Sequence, residues 1–359
     1  MRQIVTFKSL IDVKKGDYIT KKQAKEGPYP VILGGREPAY YIDKYNHTGR
    51  AIVISRSGAS AGFVSAWNEP IFITDGFLIE PKEHVDYDFI YYALKNSEGI
   101  LQGRQSGAAI PHITPRLIQN IEIELPSLSE QRKIAETLSK YDKLIENNQK
   151  QIKLLEEAAQ RLYKEWFVDL RFPGYEDVQI VDGVPEGWSK KTVGELLGKV
   201  DRTTQIMTKD YKKQGSTPVI DQSRDFIAGY TDDKTSVVDL GRPVIVFGDH
   251  TRVLKYIQFP FAKGADGTQL LVSNSERMPQ ALLYCSLVEV DLSNYHYARH
   301  FKYLKAEEII VPSLSVAERF DQIATLMFVK TQKLRDIIIQ LTEARDRLLP
   351  KLMSGEIEL

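Results

Sequence analysis

The sequence predicts an α+β protein: two mixed α/β globular domains in tandem pseudo-repeat, separated by two long helices that pair antiparallel as a coiled coil. Three features carry that expectation. The chain repeats itself at a single offset. Each copy opens with short β-type runs broken by turn residues, and each closes with a long segment whose apolar residues recur in steps of four and three.

The repeat rests on three anchors. Leu125-Pro-Ser-Leu-Ser recurs as Val311-Pro-Ser-Leu-Ser, which sets Pro126 and Pro312 186 residues apart. Leu155-Glu-Glu-Ala-Ala-Gln-Arg-Leu162 recurs at the same offset as Leu341-Thr-Glu-Ala-Arg-Asp-Arg-Leu348, and Thr6 to Leu10 as Thr192 to Leu196. The halves then divide alike: a head at 1–125, a helix at 126–170, a linker at 171–182, a second head at 183–311 and a second helix at 312–359.

Within the first head, residues 51–55 and 63–67 read as two strands around a glycine-bearing loop, followed by an Asp-Gly turn at Asp75-Gly76 and an amphipathic segment around 89–94. The second head repeats the plan with strands at 244–247 and 253–257, a turn at Asp266-Gly267 and a segment around 281–287. Cys285 aligns with Ala93 inside that segment and reads as a small core residue.

In the first helix Ile134, Leu138, Tyr141, Ile145, Asn148, Ile152, Leu155, Ala159, Leu162 and Trp166 form a heptad seam, with Asn148 as a register-fixing polar residue. In the second, Ile323, Met327, Lys330, Leu334, Ile337, Leu341, Ala344 and Leu348 take the same steps. Pro126 and Pro312 precede the helices, and Ser129 with Glu130, or Ser315, offers capping chemistry. The periodicity alone fits equally a dimerisation coiled coil or a core bundle.

Composition excludes several classes. With 42% hydrophobic and 27% charged residues the chain is globular rather than disordered. No apolar run approaches the roughly 20 residues of a membrane helix, and the opening residues lack the apolar core of a secretory signal. One cysteine in the whole chain leaves no intramolecular disulfide framework, so a cytoplasmic location is expected. Lys and Arg total 48 against 48 Asp and Glu, and the first head holds 15 against 14, so no global basic footprint exists.

The junction Leu162-Tyr-Lys-Glu-Trp-Phe-Val-Asp-Leu-Arg-Phe-Pro-Gly174, followed by Val184-Pro-Glu-Gly-Trp188, resembles that between the halves of type I restriction–modification specificity subunits. The ending Arg345-Asp-Arg-Leu-Leu-Pro-Lys-Leu-Met-Ser-Gly-Glu-Ile357, the two Pro-Ser-Leu-Ser segments and Ser55-Arg-Ser-Gly58 are similar to the same family. The resemblance spans essentially the whole chain. The first half has no Pro-Glu-Gly-Trp of its own, from which a slightly trimmed first domain is expected. The family implies two target-recognition domains, each reading one half of a split double-stranded DNA site. It implies paired helices that set the gap and dock two methyltransferase subunits, and a separate ATP-dependent restriction motor. With the charge balance, the lone subunit is expected to bind DNA weakly.

Base readout needs donors and acceptors at exposed tips. The loop between the paired strands supplies Arg56, Ser57 and Ser60 in the first head and His250, Thr251 and Arg252 in the second. The same loops equally read as plain hairpin turns. Tyr295-His-Tyr-Ala-Arg-His-Phe-Lys-Tyr303 interleaves aromatic and basic residues and offers Arg299, His300 and Lys302, with Arg104 and His112 as the first-head counterpart; its other reading is a strand with core tyrosines. His296 and His300 are spaced like a helical metal pair but lack further ligands, so no metal is expected.

No phosphate-binding Gly-x-x-x-x-Gly-Lys loop, Gly-x-Ser-x-Gly elbow or Asn/Asp-Pro-Pro-Tyr run occurs. The chain is therefore expected to be non-catalytic and without a cofactor, with S-adenosylmethionine, ATP and Mg2+ on partner subunits. Two other readings fit the residues: the recognition subunit of a related system with modification and cleavage in one polypeptide, and a coiled-coil scaffold that binds no DNA. Better matching of the helices than of the heads speaks against the scaffold.

Overall fold

The computed structural model describes residues 2–20, 24–35, 37–103, 112–181, 183–295 and 299–359. The first half runs β1 (Gln3–Thr6), β2 (Ile11–Lys15), β3 (Tyr29–Leu33), β4 (Tyr41–Ile42), β5 (Ala51–Ser55), β6 (Val64–Trp67), β7 (Phe72–Pro81), α1 (Tyr87–Asn96), α2 (Glu98–Gly103), α3 (Pro115–Gln119), β8 (Glu122–Leu125) and the long α4 (Leu128–Tyr163). The second half runs β9 (Ile180–Val181), β10 (Val184–Pro185), β11 (Ser189–Thr192), α5 (Val193–Leu196), β12 (Thr217–Ile220), β13 (Gly229–Thr231), β14 (Val237–Val238), β15 (Val244–Gly248), β16 (Leu254–Ile257), β17 (Phe261–Lys263), β18 (Thr268–Leu271), α6 (Gln280–Glu289), α7 (His300–Ala306), β19 (Glu308–Val311) and α8 (Leu314–Met353). The protein is α+β, as the repeat predicts.

Two compact units result, Met1–Asn147 with Ile338–Leu359, and Asn148–Ile337. Each contains one head and one stretch of both long helices. In the first unit a mixed sheet has the order β4-β3-β7-β5-β6, with β2 also on β7. β7 is one unbroken strand that pairs parallel with β3 and antiparallel with β5. In the second unit the same connectivity is split in two: β17 pairs parallel with β12, while β18 pairs antiparallel with β15. The break between β17 and β18 holds Gly264-Ala265-Asp266-Gly267. Asp266-Gly267 is the turn predicted there. Asp75-Gly76 is not a turn; both residues lie inside β7, with Gly76 paired to Ser55, because in the first head the strand passes straight through.

The two long helices, α1 and α6 form where the pattern places them, and several of the helices are closed by identifiable caps. Asp86 accepts a hydrogen bond from Phe89 N at the start of α1, and Thr114 from Leu117 N ahead of Pro115 in α3. For α4 the cap is Ser127, whose Oγ accepts from Glu130 N, and not Ser129; the serine directly after proline precedes the first helical residue, so its side chain can turn back on the first helical amides. α6 is buried on nearly every side through Ala281, Leu282, Leu283, Cys285, Ser286 and Leu287, so it is a core helix and not an amphipathic one. Burial pushes the Cys285 thiol up, well away from nucleophilic range.

In the first unit α4 and α8 run antiparallel, with Asp142 Oδ1 2.5 Å from Arg345 Nη1. In the second they do so again, with Glu156 Oε1 2.5 Å from Arg335 Nη2. Every residue of the predicted α4 seam is buried or half-buried, Asn148 included. On α8, Leu334, Leu341 and Leu348 lie on the seam as expected, but Ile323, Lys330, Ile337 and Ala344 are exposed. Their places are taken one residue further on by Ala324, Thr331, Ile338 and Arg345. Polar Thr331 and Arg345 hid the true seam, and apolar Ile323, Ile337 and Ala344 imitated it.

The junction motif has a packing cause. Phe320 of α8, fully buried, meets the rings of Tyr163, Trp166 and Phe167, with centroids 6.3, 6.0 and 5.2 Å away. Trp188 closes the cluster against Phe167 and Phe172. Among the described residues, no helix is long and apolar enough to cross a membrane.

Candidate nucleic-acid interface

In the first head β5 delivers the chain into the turn at residues 56–60 beside Asp75. The Asp75 carboxylate accepts a hydrogen bond from the Ser57 hydroxyl and lies 3.7 Å from Arg56 Nη1. Gly34, at φ +58°, closes the third side; a Cβ there would come within 2.8 Å of Ser57 O. The turn is tied to the segment after α2: Ile113 N donates to Arg56 O at 2.8 Å, and Ser57 bridges His112. The Arg56 side chain is 36% exposed, His112 is exposed and Ser60 half-buried. Asp75 thus orders Arg56 and Ser57, leaving the guanidinium edge, Ser60 and His112 as reachable donors. Arg104 lies outside the described residues.

The second head builds the same junction. Residues 249–251 form the turn after β15, and His300 N donates to Asp249 O at 2.8 Å, in the place of the Ile113–Arg56 bond. Asp249 is buried, and its Oδ1 accepts from Phe301 N at 2.7 Å, fixing the first turn of α7. Strand pairing makes the equivalence explicit, since Ser55 pairs Gly76 as Gly248 pairs Thr268. At one end of each sheet the tip turn therefore meets the described part of the second predicted segment, His112 in the first head and His300 in the second.

His300 is not an interface residue. It is 4% exposed, with Nδ1 2.9 Å from Asp249 O and Nε2 2.8 Å from Tyr295 O. It stands where the first head has buried Ile113, and it spends its ring on backbone carbonyls. Thr251 is exposed, but its hydroxyl donates to Gln222 O at 2.6 Å, so it serves the turn rather than a partner. Arg252 adopts φ +61° and donates from Nη1 to Leu292 O at 2.9 Å while remaining exposed. His250, Arg299 and Lys302 are exposed. The described part of this segment is not a core strand: residues 300–303 form the start of α7, and Tyr295 stacks on Tyr303 at 4.0 Å. His296 lies outside the described residues, and no group of His, Cys, Asp or Glu that could hold a metal occurs among those described.

Sequence reasoning missed Asp75, Asp249 and Gln222. Gln222 follows β12 and accepts from His250 N at 3.0 Å while donating to Asp266 O at 2.7 Å. Nothing local marks it, because its partners lie 28 and 44 residues away.

Known proteins agree with this architecture. Residues 2–157 match the family model of the type I restriction modification DNA specificity domain. The specificity subunit of the type I restriction enzyme MjaIX of Methanocaldococcus jannaschii is 27% identical over 86% of this chain and 78% of its own length. A putative type I specificity subunit of Mycoplasma genitalium is 26% identical over 98% of this chain and 94% of its own. In fold, the crystal structure of a type I restriction–modification S subunit from M. genitalium matches 98% of this chain and 96% of that one, with a TM-score of 0.60 at 21% identity. Over nearly its whole length the chain is thus similar to specificity subunits of type I restriction–modification systems, and its first head with most of α4 matches their DNA specificity domain.

Proposed function

We propose that this chain is the non-catalytic DNA-reading subunit of its complex, each head reading one half of a bipartite double-stranded site. The paired helices set the gap between the halves and dock two methyltransferase subunits, which hold S-adenosylmethionine. An ATP- and Mg2+-dependent motor subunit joins for cleavage. The observation that carries this reading is the shared head framework with unlike tips. Both heads anchor the turn by the same backbone bond, from Ile113 N to Arg56 O and from His300 N to Asp249 O. The turns themselves present Arg-Ser-Gly-Ala-Ser in one head and Asp-His-Thr-Arg in the other. A constant scaffold with different donors is what two readers of different half-sites need.

The test is long-read methylome sequencing of the source strain with and without the gene, with partner subunits shown to be expressed. Loss of one split motif on deletion is expected. An unchanged methylome would favour a scaffold without DNA specificity.

A further inference from the structure

The strand break in the second head builds a feature that the first head lacks. Lys263 ends β17, and its pairing with Ile220 puts it where the first head has Ile73, paired with Ile32. Ile73 is buried, at 2% exposure. Between this position and the next pair, Thr268 with Gly248 against Gly76 with Ser55, the second head has two extra residues. The strand splits there, and Lys263 lines an open pocket of about 450 Å³ with Asp201, Arg202, Thr203, Gln269 and Phe301.

The pocket is polar: of its lining amides Gln205 donates to Gly264 O at 3.5 Å, while Lys263 and Thr203 face it without a hydrogen-bond or ion-pair partner among the described residues. Lys263 is half-buried, yet among the described residues no carboxylate lies within ion-pair distance of it, and burial alone depresses its pKa. A desolvated, unpaired ammonium in an isoleucine position is costly, which a purely structural role does not explain. The Thr203 hydroxyl is buried without a hydrogen-bond partner. Lys255, the other buried lysine of this head, shows the contrast: its Nζ donates to Asp225 O at 2.5 Å and lies 3.9 Å from Asp221.

We propose that Lys263 is a specificity-determining residue of the second head, donating to the O6/N7 edge of a guanine that enters this pocket. The assignment rests on the DNA-reading function above. Lys and Arg are matched to the two guanine acceptors in the major groove, and Asp201 on the wall is matched to the amino group of the paired cytosine. A backbone phosphate shares the acceptor chemistry but would be repelled by Asp201. The pocket is tied to the predicted tip by two bonded routes: Phe301 of its lining donates from its backbone N to Asp249 Oδ1, and the Asp266 O just beyond Lys263 accepts from the Gln222 amide, whose Oε1 accepts from His250 N.

The test is the Lys263→Met variant, assembled with its methyltransferase partners and assayed by methylome sequencing and by duplex binding across a salt series. Ile73 shows that the position accepts an apolar side chain, and an unchanged Tm checks folding; Gln269→Ala is run in parallel as a second probe of the pocket. One half-site is expected to lose its preference at a guanine, with discrimination there falling on the order of ten- to hundredfold. The other half-site and the salt slope stay as they were. An unchanged motif in both folded variants overturns the assignment. So does uniform weakening on all sequences with a salt slope lower by about one, the mark of a phosphate contact. If the wild-type complex itself yields no motif, the DNA-reading function fails and this assignment with it.

Discussion

Asp142 and Phe328 occupy the same place in the repeat, as do Ala159 and Arg345, yet the two units fill it with opposite chemistry. In the first unit the Asp142 carboxylate accepts from Tyr92 OH at 2.5 Å and from Arg345 Nη1 at 2.5 Å. In the second, Phe328 packs on Tyr256 and Tyr284 at 4.7 and 5.4 Å between centroids, and Ala159 lies in the same core. The duplication preserved backbone geometry and seam spacing but not the contacts. A partly exposed ion pair adds little stability, whereas an unpaired one is costly, so its value lies in register. Were α4 to pair with a second α4 instead of α8, Asp142 would meet Ala159 and lose its arginine. The polar site thus favours pairing of unlike halves, and the aromatic site supplies the cohesion.

If the heads differ in reading and not in framework, exchanging the tip breaks one half only. Replacing residues 56–60 by an unrelated polar loop should abolish or change one half-site by orders of magnitude in methylation while the other persists. Methylome sequencing reads this directly, and a change in both halves would refute the assignment of one head to one half-site.

The aromatic unit should be the more sensitive to truncation. Phe320→Ala removes a fully buried ring with three aromatic neighbours and is expected to cost about 3–5 kcal/mol in urea unfolding. Ile134→Ala at the equivalent place in the first unit should cost less, about 2–3 kcal/mol. Equal costs would mean that the cluster contributes only its area.

Asp142→Ala should cost about 2 kcal/mol, a figure reduced because Asp142 and Arg345 are 29% and 20% exposed. Transplanting the other solution, Asp142→Phe with Arg345→Ala, should return to within about 1 kcal/mol of the parent, because buried ion pairs are often replaceable by packed apolar groups. A double variant worse than the single one would show that the two seams differ in shape as well as in chemistry.

Much of this architecture was legible because repeats and periodicity are local signals. The α4 seam could be read from its apolar residues alone, and the tip loops from turn residues between β-type runs. The α8 seam failed at alternate positions because Arg345 finds its partner about 200 residues away, a distance at which sequence pattern is silent. His300 misled for the converse reason: a basic residue amid aromatics looks exposed, and only the Asp249 and Tyr295 carbonyls explain its burial. Lys263 gave no sign until strand pairing set it against Ile73.

The ends of the long helices extend the comparison to its smallest effect. Trp188 sits 186 residues after Arg2, and Met353 sits 186 residues after Phe167. In the second unit that pair is a ring contact at 5.7 Å; in the first, Arg2 donates to Met353 O at 2.6 Å and to Leu352 O at 3.1 Å, with Glu130 at 2.5 Å holding the guanidinium. Arg2 thereby satisfies carbonyls that the helix end leaves open. Gly355 completes the cap at φ +74°, and a Cβ on it would approach Arg2 Cζ to 2.9 Å. Arg2→Ala and Gly355→Ala should each cost about 1–2 kcal/mol, the first through lost carbonyl partners and the second through backbone strain plus the clash. Because removing Arg2 also removes the clash, the double variant should fall short of the sum by at least about 0.5 kcal/mol. Urea unfolding of the four proteins measures this coupling, with faster amide exchange at Gly355 and Ile357 as the local readout. Strict additivity would mean that the arginine and the glycine terminate α8 independently, leaving the polar end without the mutual dependence that the ring contact gives the other.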